Sequence, residues 1–330
     1  MIAKLSTEKE EMMINNKIGL GTAAIGRPLY INIKEESTSS DFSIESFREK
    51  GIQMLETAYQ LGMRYFDTAP GYGIAESILI DWVAQKVDGT IEVATKWGYT
   101  YVADFDPEAD VHEVKEHSVG KLNSQWNVSK ELLPYLTSYQ IHSATIETGV
   151  LDNVAILGRL SELKRQYGLL IGITTTGANQ VEVLKKALAI QVDGEDLFDL
   201  FQVTYNVFDQ SIAPLAEEIS KGNKRLVIKE ALANGRVFPN EKYPHYHETY
   251  QYIEDLSVKY NVGVDAIGLR FCMDSIPMFS LLSGASIEHH LSDNLKANGF
   301  RLLDLEIDAI KAFAVDPAEY WDERSQLGWG

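Results

Sequence analysis

Along the chain, short apolar runs bounded by turn residues alternate with longer stretches whose apolar positions recur every three or four residues. The short runs read as strands and the long ones as amphipathic helices, the signature of βα units around a parallel sheet. Strands are predicted at 17–23, 64–67, 91–96, 138–142, 169–174, 200–203, 226–229 and 279–282. Helices are predicted at 43–61, 75–87, 118–135, 153–167, 180–191, 213–220, 247–260 and 288–296. The fourth shows the pattern best: Val154, Leu157, Leu160 and Leu163 line one face that can lie against a sheet. Eight units with no compositional break and no Ser/Gly-rich linker favour an α/β fold closed into a (β/α)8 barrel over an open sheet. The expected organisation is one domain over 1–330, with its core at about 17–297 and an extension at 298–330.

Two stretches exceed the repeat. Residues 97–117 form a long connection after the third strand and carry Trp97, Tyr99, Tyr101 and Phe105 with a run of acids. At the C-terminal rim of a barrel such a loop reads either as a substrate wall or as a solvated insertion anchored by its aromatics. In the extension, a helix-like stretch at 306–313 precedes Tyr320, Trp321 and Trp329. These rings are too apolar to leave in water, so the tail is expected to pack back onto the barrel.

Composition narrows the function classes. At 330 residues and 45% hydrophobic, the chain can bury a large core. Its 48 acidic against 30 basic residues give a formal charge of -18, which repels a phosphate backbone, so no nucleic-acid partner is expected. The single Cys272 excludes an internal disulfide framework and a multi-thiolate metal site, reads as a buried small hydrophobe, and points to a reducing, cytoplasmic setting. Neither a signal-peptide stretch at the start nor a run of eighteen apolar residues is present, so no membrane role is expected. His289 with His290, and His245 with His247, lack the acids and spacing of a zinc motif, and no metal is expected.

The candidate chemistry gathers at strand ends. Asp67 closes the second strand, and a Pro-Gly turn then presents Tyr72; Lys96 closes the third strand and His142 the fourth. All four would stand on the face where barrel active sites are assembled. An ammonium beside Tyr72 is expected to favour its phenolate and lower its pKa, with Asp67 holding Lys96. His142 would orient a carbonyl while Tyr72 delivers the proton. Arg27 and Trp97 read equally as mouth-lining or as packed rim residues.

These residues lie in FDTAPGYG at 66–73, VATKWG at 93–98 and YQIHSA at 139–144, and with them the chain resembles the aldo-keto reductase family from Ile18 to Asn294. The resemblance implies a (β/α)8 barrel that interconverts carbonyls and alcohols without metal, using a nicotinamide cofactor, usually NADP(H), with NAD(H) possible. Asp67, Tyr72, Lys96 and His142 match the catalytic residues. Gln202 matches the glutamine beside the nicotinamide, Gly21 and Thr22 border it, and Thr174 and Thr175 stand where a Ser-Asn pair holds its carboxamide. A Thr cannot make the two-sided amide contact of an Asn. Lys229, followed by Glu230, occupies a position where many members stack an aromatic.

The segment SGASIEHHLSDN at 283–294 matches the adenosine 2′-phosphate site through Gly284, Ser286, His290, Asp293 and Asn294. His290 stands where many NADP-preferring members place an Arg, exchanging a permanent charge for a titrating one. The function so implied is NAD(P)(H)-dependent reduction of an aldehyde, ketone or sugar carbonyl, a small-molecule substrate, or the reverse. Two readings compete: a cofactor-binding regulatory subunit that acts through a partner protein, and a barrel isomerase or lyase with Lys96 as Schiff base. The sequence leaves the oligomeric state open.

Overall fold

The computed structural model describes residues 16–27, 43–106 and 109–328; the predicted anchor Trp329 and the opening segment lie outside them. Eight strands, β1 (Ile18–Gly21), β2 (Tyr65–Asp67), β3 (Glu92–Trp97), β4 (Leu136–Ala144), β5 (Leu170–Thr175), β6 (Leu200–Thr204), β7 (Arg225–Lys229) and β8 (Ser280–Ser283), pair in sequence order, all parallel. β8 returns to β1 through Ile18↔Leu281 and Leu20↔Ser283, which closes the barrel. All eight predicted strands are present.

Helices α1 (Ile44–Gln60), α2 (Ala75–Val83), α3 (Val119–Ser129), α4 (Val154–Tyr167), α5 (Gln180–Leu188) and α6 (Ala213–Lys221) follow the strands in turn. Two helices, α7 (His247–Tyr260) and α8 (Val264–Ser275), fill the connection from β7 to β8, and α9 (Glu288–Leu295) follows β8. The predicted helix at 118–135 stops at Ser129 and continues only as a 3-10 turn over Lys130–Leu132. Pro134 explains the stop, since it has no N–H to donate and its ring disfavours a helical residue before it. Among the described residues no helix is long and apolar enough to cross a membrane.

The main core lies between the strands and the helix ring, and a smaller one fills the barrel. Tyr65, Ala94, Leu200 and Val227, with Phe279 and Leu282 beside them, form that inner apolar layer. Side chains two apart on a strand share a face, so one step toward the C-terminal ends replaces these four with Asp67, Lys96, Gln202 and Lys229. The same alternation that builds the core delivers a polar floor above it.

The long connection after β3 folds into a hairpin, with Tyr99–Tyr101 paired antiparallel to Glu113–Lys115. The extension forms α10 (Asp304–Lys311) and α11 (Pro317–Ser325) and packs back as expected: Tyr320 is fully buried, its hydroxyl accepting from Asn206 Nδ2 at 2.9 Å.

Candidate active site

The floor is built around Asp67. Its Oδ1 pairs with Lys96 Nζ, and its Oδ2 accepts from Gln202 Nε2 at 2.8 Å and from Gln140 Nε2 at 3.5 Å. Lys96, fully buried, also donates to the Thr68 carbonyl at 2.9 Å. Thr22 secures the backbone beneath: its hydroxyl and its N–H donate to the Asp67 carbonyl at 3.0 and 2.9 Å. A buried carboxylate and ammonium are tolerated only when they are paired and further hydrogen-bonded, and these contacts supply both.

Tyr72 is placed by close backbone packing. A Cβ on Gly26 would lie 2.1 Å from the Tyr72 carbonyl oxygen, and Gly73, at φ +62, would place one 2.2 Å from the Gly26 oxygen. Only glycine fits at either position. The phenol ring lies edge-to-face with His142, centroids 5.5 Å apart, while Lys96 Nζ sits 4.7 Å and Arg27 Cζ 5.4 Å from its centroid. No hydrogen bond joins the ammonium to the phenol hydroxyl. Contrary to the expected depression, burial first and the Asp67 charge second hold the Tyr72 pKa well above 10. The phenol keeps its proton at neutral pH, and its hydroxyl has no hydrogen bond among the described residues.

His142 sits at an irregularity. The β4–β5 register skips between Ile141 and Ala144, and Ser143 adopts φ +51. Two contacts hold this bulge: the Ser143 N–H donates to Thr174 Oγ1 at 2.7 Å, and His117 Nε2 contacts the His142 carbonyl at 2.9 Å. Burial keeps the His117 pKa down at about 4, so its ring is neutral and donates to that carbonyl. Burial, then the charges of Lys96, Arg27 and Lys229, push the His142 pKa well below 6.5. His142 is thus a neutral imidazole with its Nδ1 buried and unpartnered.

The remaining predicted residues divide into two groups. Gln202 lies under Asp67, as described. Thr174 and Thr175 are buried at the end of β5, but the Thr175 hydroxyl donates to Gln180 Oε1 at 3.2 Å. Lys229 donates to Thr204 Oγ1 at 2.9 Å, lies 3.7 Å from Glu230 and sits 5.7 Å from the Trp321 ring of the tail. Burial pushes the Glu230 carboxyl up, but Lys229 and Arg324 outweigh it and hold it at about 2; Arg324 Nη2 donates to it at 3.0 Å.

Gly21 borders β8 without close contact, and Gly284, Ser286 and His290 form an exposed patch some way round the rim at β8 and α9. Asp293 pairs with Lys296 at 2.6 Å and with His289 at 3.3 Å. Asn294 is buried between Ser283 Oγ (2.6 Å) and Asp265 Oδ2 (2.7 Å). Arg27 and Trp97 are buried too: Arg27 donates to Glu113 at 2.8 Å and to the Gly71 carbonyl at 3.1 Å, and the Trp97 ring meets His117. Gln140 and His117 escaped the sequence reading. Gln140 lies two residues before His142 and so on the same strand face, a signal that was there to find.

The chain belongs to the aldo/keto reductase family, whose sequence profile matches residues 17–315. It is 22% identical to the NADH-specific methylglyoxal reductase of Escherichia coli over 91% of this chain and 94% of that one. It is 23% identical to norsolorinic acid reductase of Aspergillus flavus, covering 82% and 72%. Among solved structures, the glycerol dehydrogenase of Gluconobacter oxydans shares the fold with a TM-score of 0.68, at 21% identity over 90% of each chain. An aldo-keto reductase from Bacillus halodurans gives 0.64 at 17% identity, covering 91% and 92%. The chain is accordingly an oxidoreductase of the general NAD(P)(H)-dependent kind.

Proposed function

We propose that this chain reduces an aldehyde, ketone or sugar carbonyl to the alcohol, or runs the reverse oxidation, with Tyr72 as the proton donor. The observation that carries this reading is the meeting of a protonated phenol and a neutral imidazole over one Asp67–Lys96 pair, their rings 5.5 Å apart. A carbonyl oxygen between them accepts a hydrogen bond from His142 and takes the phenolic proton as the carbonyl carbon becomes an alcohol carbon. Lys96 and Asp67 act beneath: the ammonium faces the ring, and the carboxylate holds the ammonium.

The turn from β8 into α9 suits the phosphate end of a dinucleotide. Gly284, Ser286 and His290 are exposed there, and no side chain caps the N-terminus of α9, which leaves its first N–H groups for an anion. Ser286 and His290 would hold a 2′-phosphate, so NADP(H) is the expected cofactor, with NAD(H) accepted less selectively. Thr174 and Gln202 would lie nearest the nicotinamide, although Thr174 Oγ1 accepts from Ser143 and Gln202 Nε2 donates to Asp67, and Thr175 and Asn294 are likewise committed to protein partners. When bound, the reduced cofactor supplies a hydride to the carbonyl carbon.

The test is Tyr72→Phe, which keeps the ring and removes the acid. Turnover across a carbonyl panel, followed by nicotinamide absorbance, should fall by about 10²–10⁴-fold while cofactor affinity holds. Turnover within threefold of the parent would remove Tyr72 from this role.

A further inference from the structure

The hairpin after β3 stands over the catalytic pair. Tyr99 and Lys115 are register partners and so lie on one face of it, and Glu113, two residues before Lys115, shares that face. The Tyr99 ring packs on His142 at 4.6 Å between centroids, and Lys115 Nζ lies 5.7 Å from the Tyr99 ring. Lys115 is half-buried. Among the described residues its ammonium has neither a hydrogen bond nor an ion pair. Among the described residues, the two carboxylates whose charge acts on it do not neutralise it. The Glu113 carboxylate is taken by Arg27 at 2.8 Å, and Glu147 is exposed and beyond ion-pair distance. Burial lowers the Lys115 pKa in spite of both carboxylates. A cation in this state gains from any anion brought to it, because a charge removed from water is costly until it is paired.

We propose that Lys115 reads an anionic group on the substrate, so that the carbonyl compounds this site takes best carry a carboxylate or a phosphate. The inference rests on the reductase reading. Lys115 stands two ring contacts from the reacting centre, His142 to Tyr99 to ammonium, which sets the spacing. The anion would lie about four to six bonds from the carbonyl carbon, as in a short oxo acid or a triose phosphate. Since the chain as a whole carries a charge of -18, selection for an anion must be local.

The experiment compares matched pairs on the full chain with NADPH and NADH: 4-oxobutanoate against its methyl ester, and glyceraldehyde 3-phosphate against glyceraldehyde. In the parent, kcat/KM should favour the charged member of at least one pair by about tenfold or more. The pair that shows it tells carboxylate from phosphate. Lys115→Met should bring that ratio toward one and Lys115→Arg should keep it. Lys121→Met, which removes a cation bonded to the outer face of the hairpin at Thr100, should leave the ratio as in the parent. A parent that uses the neutral members as well or better overturns the proposal, whatever the variants do, and so does an unchanged ratio in Lys115→Met. No turnover of any of the four compounds would instead overturn the reductase reading itself.

Discussion

Replacing Thr174 with Val tests the bulge that aims His142. The two side chains are nearly equal in shape, so the change deletes little besides the acceptor of the Ser143 N–H at 2.7 Å. A buried N–H left without a partner costs about 1–3 kcal/mol. Ser143 is also held at φ +51, which a non-glycine residue adopts only when its surroundings enforce it. Both effects favour relaxation of the bulge, and in a strand a one-residue slip turns the following side chains to the opposite face. Population of that slipped form would remove His142 from the carbonyl in proportion, so kcat should drop, by up to about a hundredfold at 1.4 kcal/mol per decade. The cofactor dissociation constant, measured by fluorescence titration, should change less than threefold, and Thr174→Ser should restore kcat. The family resemblance would place Thr174 on the nicotinamide carboxamide. An intact kcat with cofactor affinity weakened tenfold would establish that role and refute the bulge argument.

Glu76, on α2, is buried between β3 and α3, its Oε1 accepting from Thr95 at 2.5 Å and from Ser129 at 2.9 Å, and burial raises its pKa from 4.5 to about 7. The folded state therefore holds a proton that the unfolded state has lost between these values, so this group makes the fold less stable as pH rises from about 4.5 to 7. Glu76→Gln should remove that slope and stabilise the protein at pH 8 by up to on the order of 3 kcal/mol. Parallel denaturation midpoints for parent and variant from pH 5 to pH 8 would count against it. At the exposed β8–α9 turn, His290→Arg should raise the NADPH-to-NADH ratio of kcat/KM and His290→Ala should lower it. Equal ratios in parent and both variants would mean that another group meets the phosphate.

The barrel was legible because its strands are short apolar runs, three of them ending in a chemically distinct residue: Phe66 before Asp67, Ala94 and Thr95 before Lys96, Ile141 before His142. Less legible was the connection at 97–117, whose hairpin pairs two strands of only three residues, Tyr99–Tyr101 and Glu113–Lys115, too short for alternation to mark them. α8 has no counterpart among the eight predicted helices, because a second helix between β7 and β8 exceeds the one-helix-per-strand repeat. In the site, residue types and positions could be read, whereas directions could not. Burial and the Asp67 charge leave the Tyr72 phenol protonated although Lys96 lies 4.7 Å from its ring, a balance set by packing and approach rather than by residue type. Lys229 likewise turns to Thr204 and Glu230, partners supplied by other elements of the rim.

Closure of the sheet fixes when, in the life of the polypeptide, the site comes into being. Ser280 Oγ donates to the Lys17 carbonyl at 2.9 Å across a separation of 263 residues, next to the β1–β8 pairing. Until β8 has left the ribosome, β1 keeps an open edge, and at ordinary translation rates that interval lasts on the order of tens of seconds. Such edges invite pairing with other chains. A nascent chain of this kind is a natural client for chaperones, and a stop codon anywhere before β8 would yield an aggregation-prone open sheet rather than a weakened enzyme.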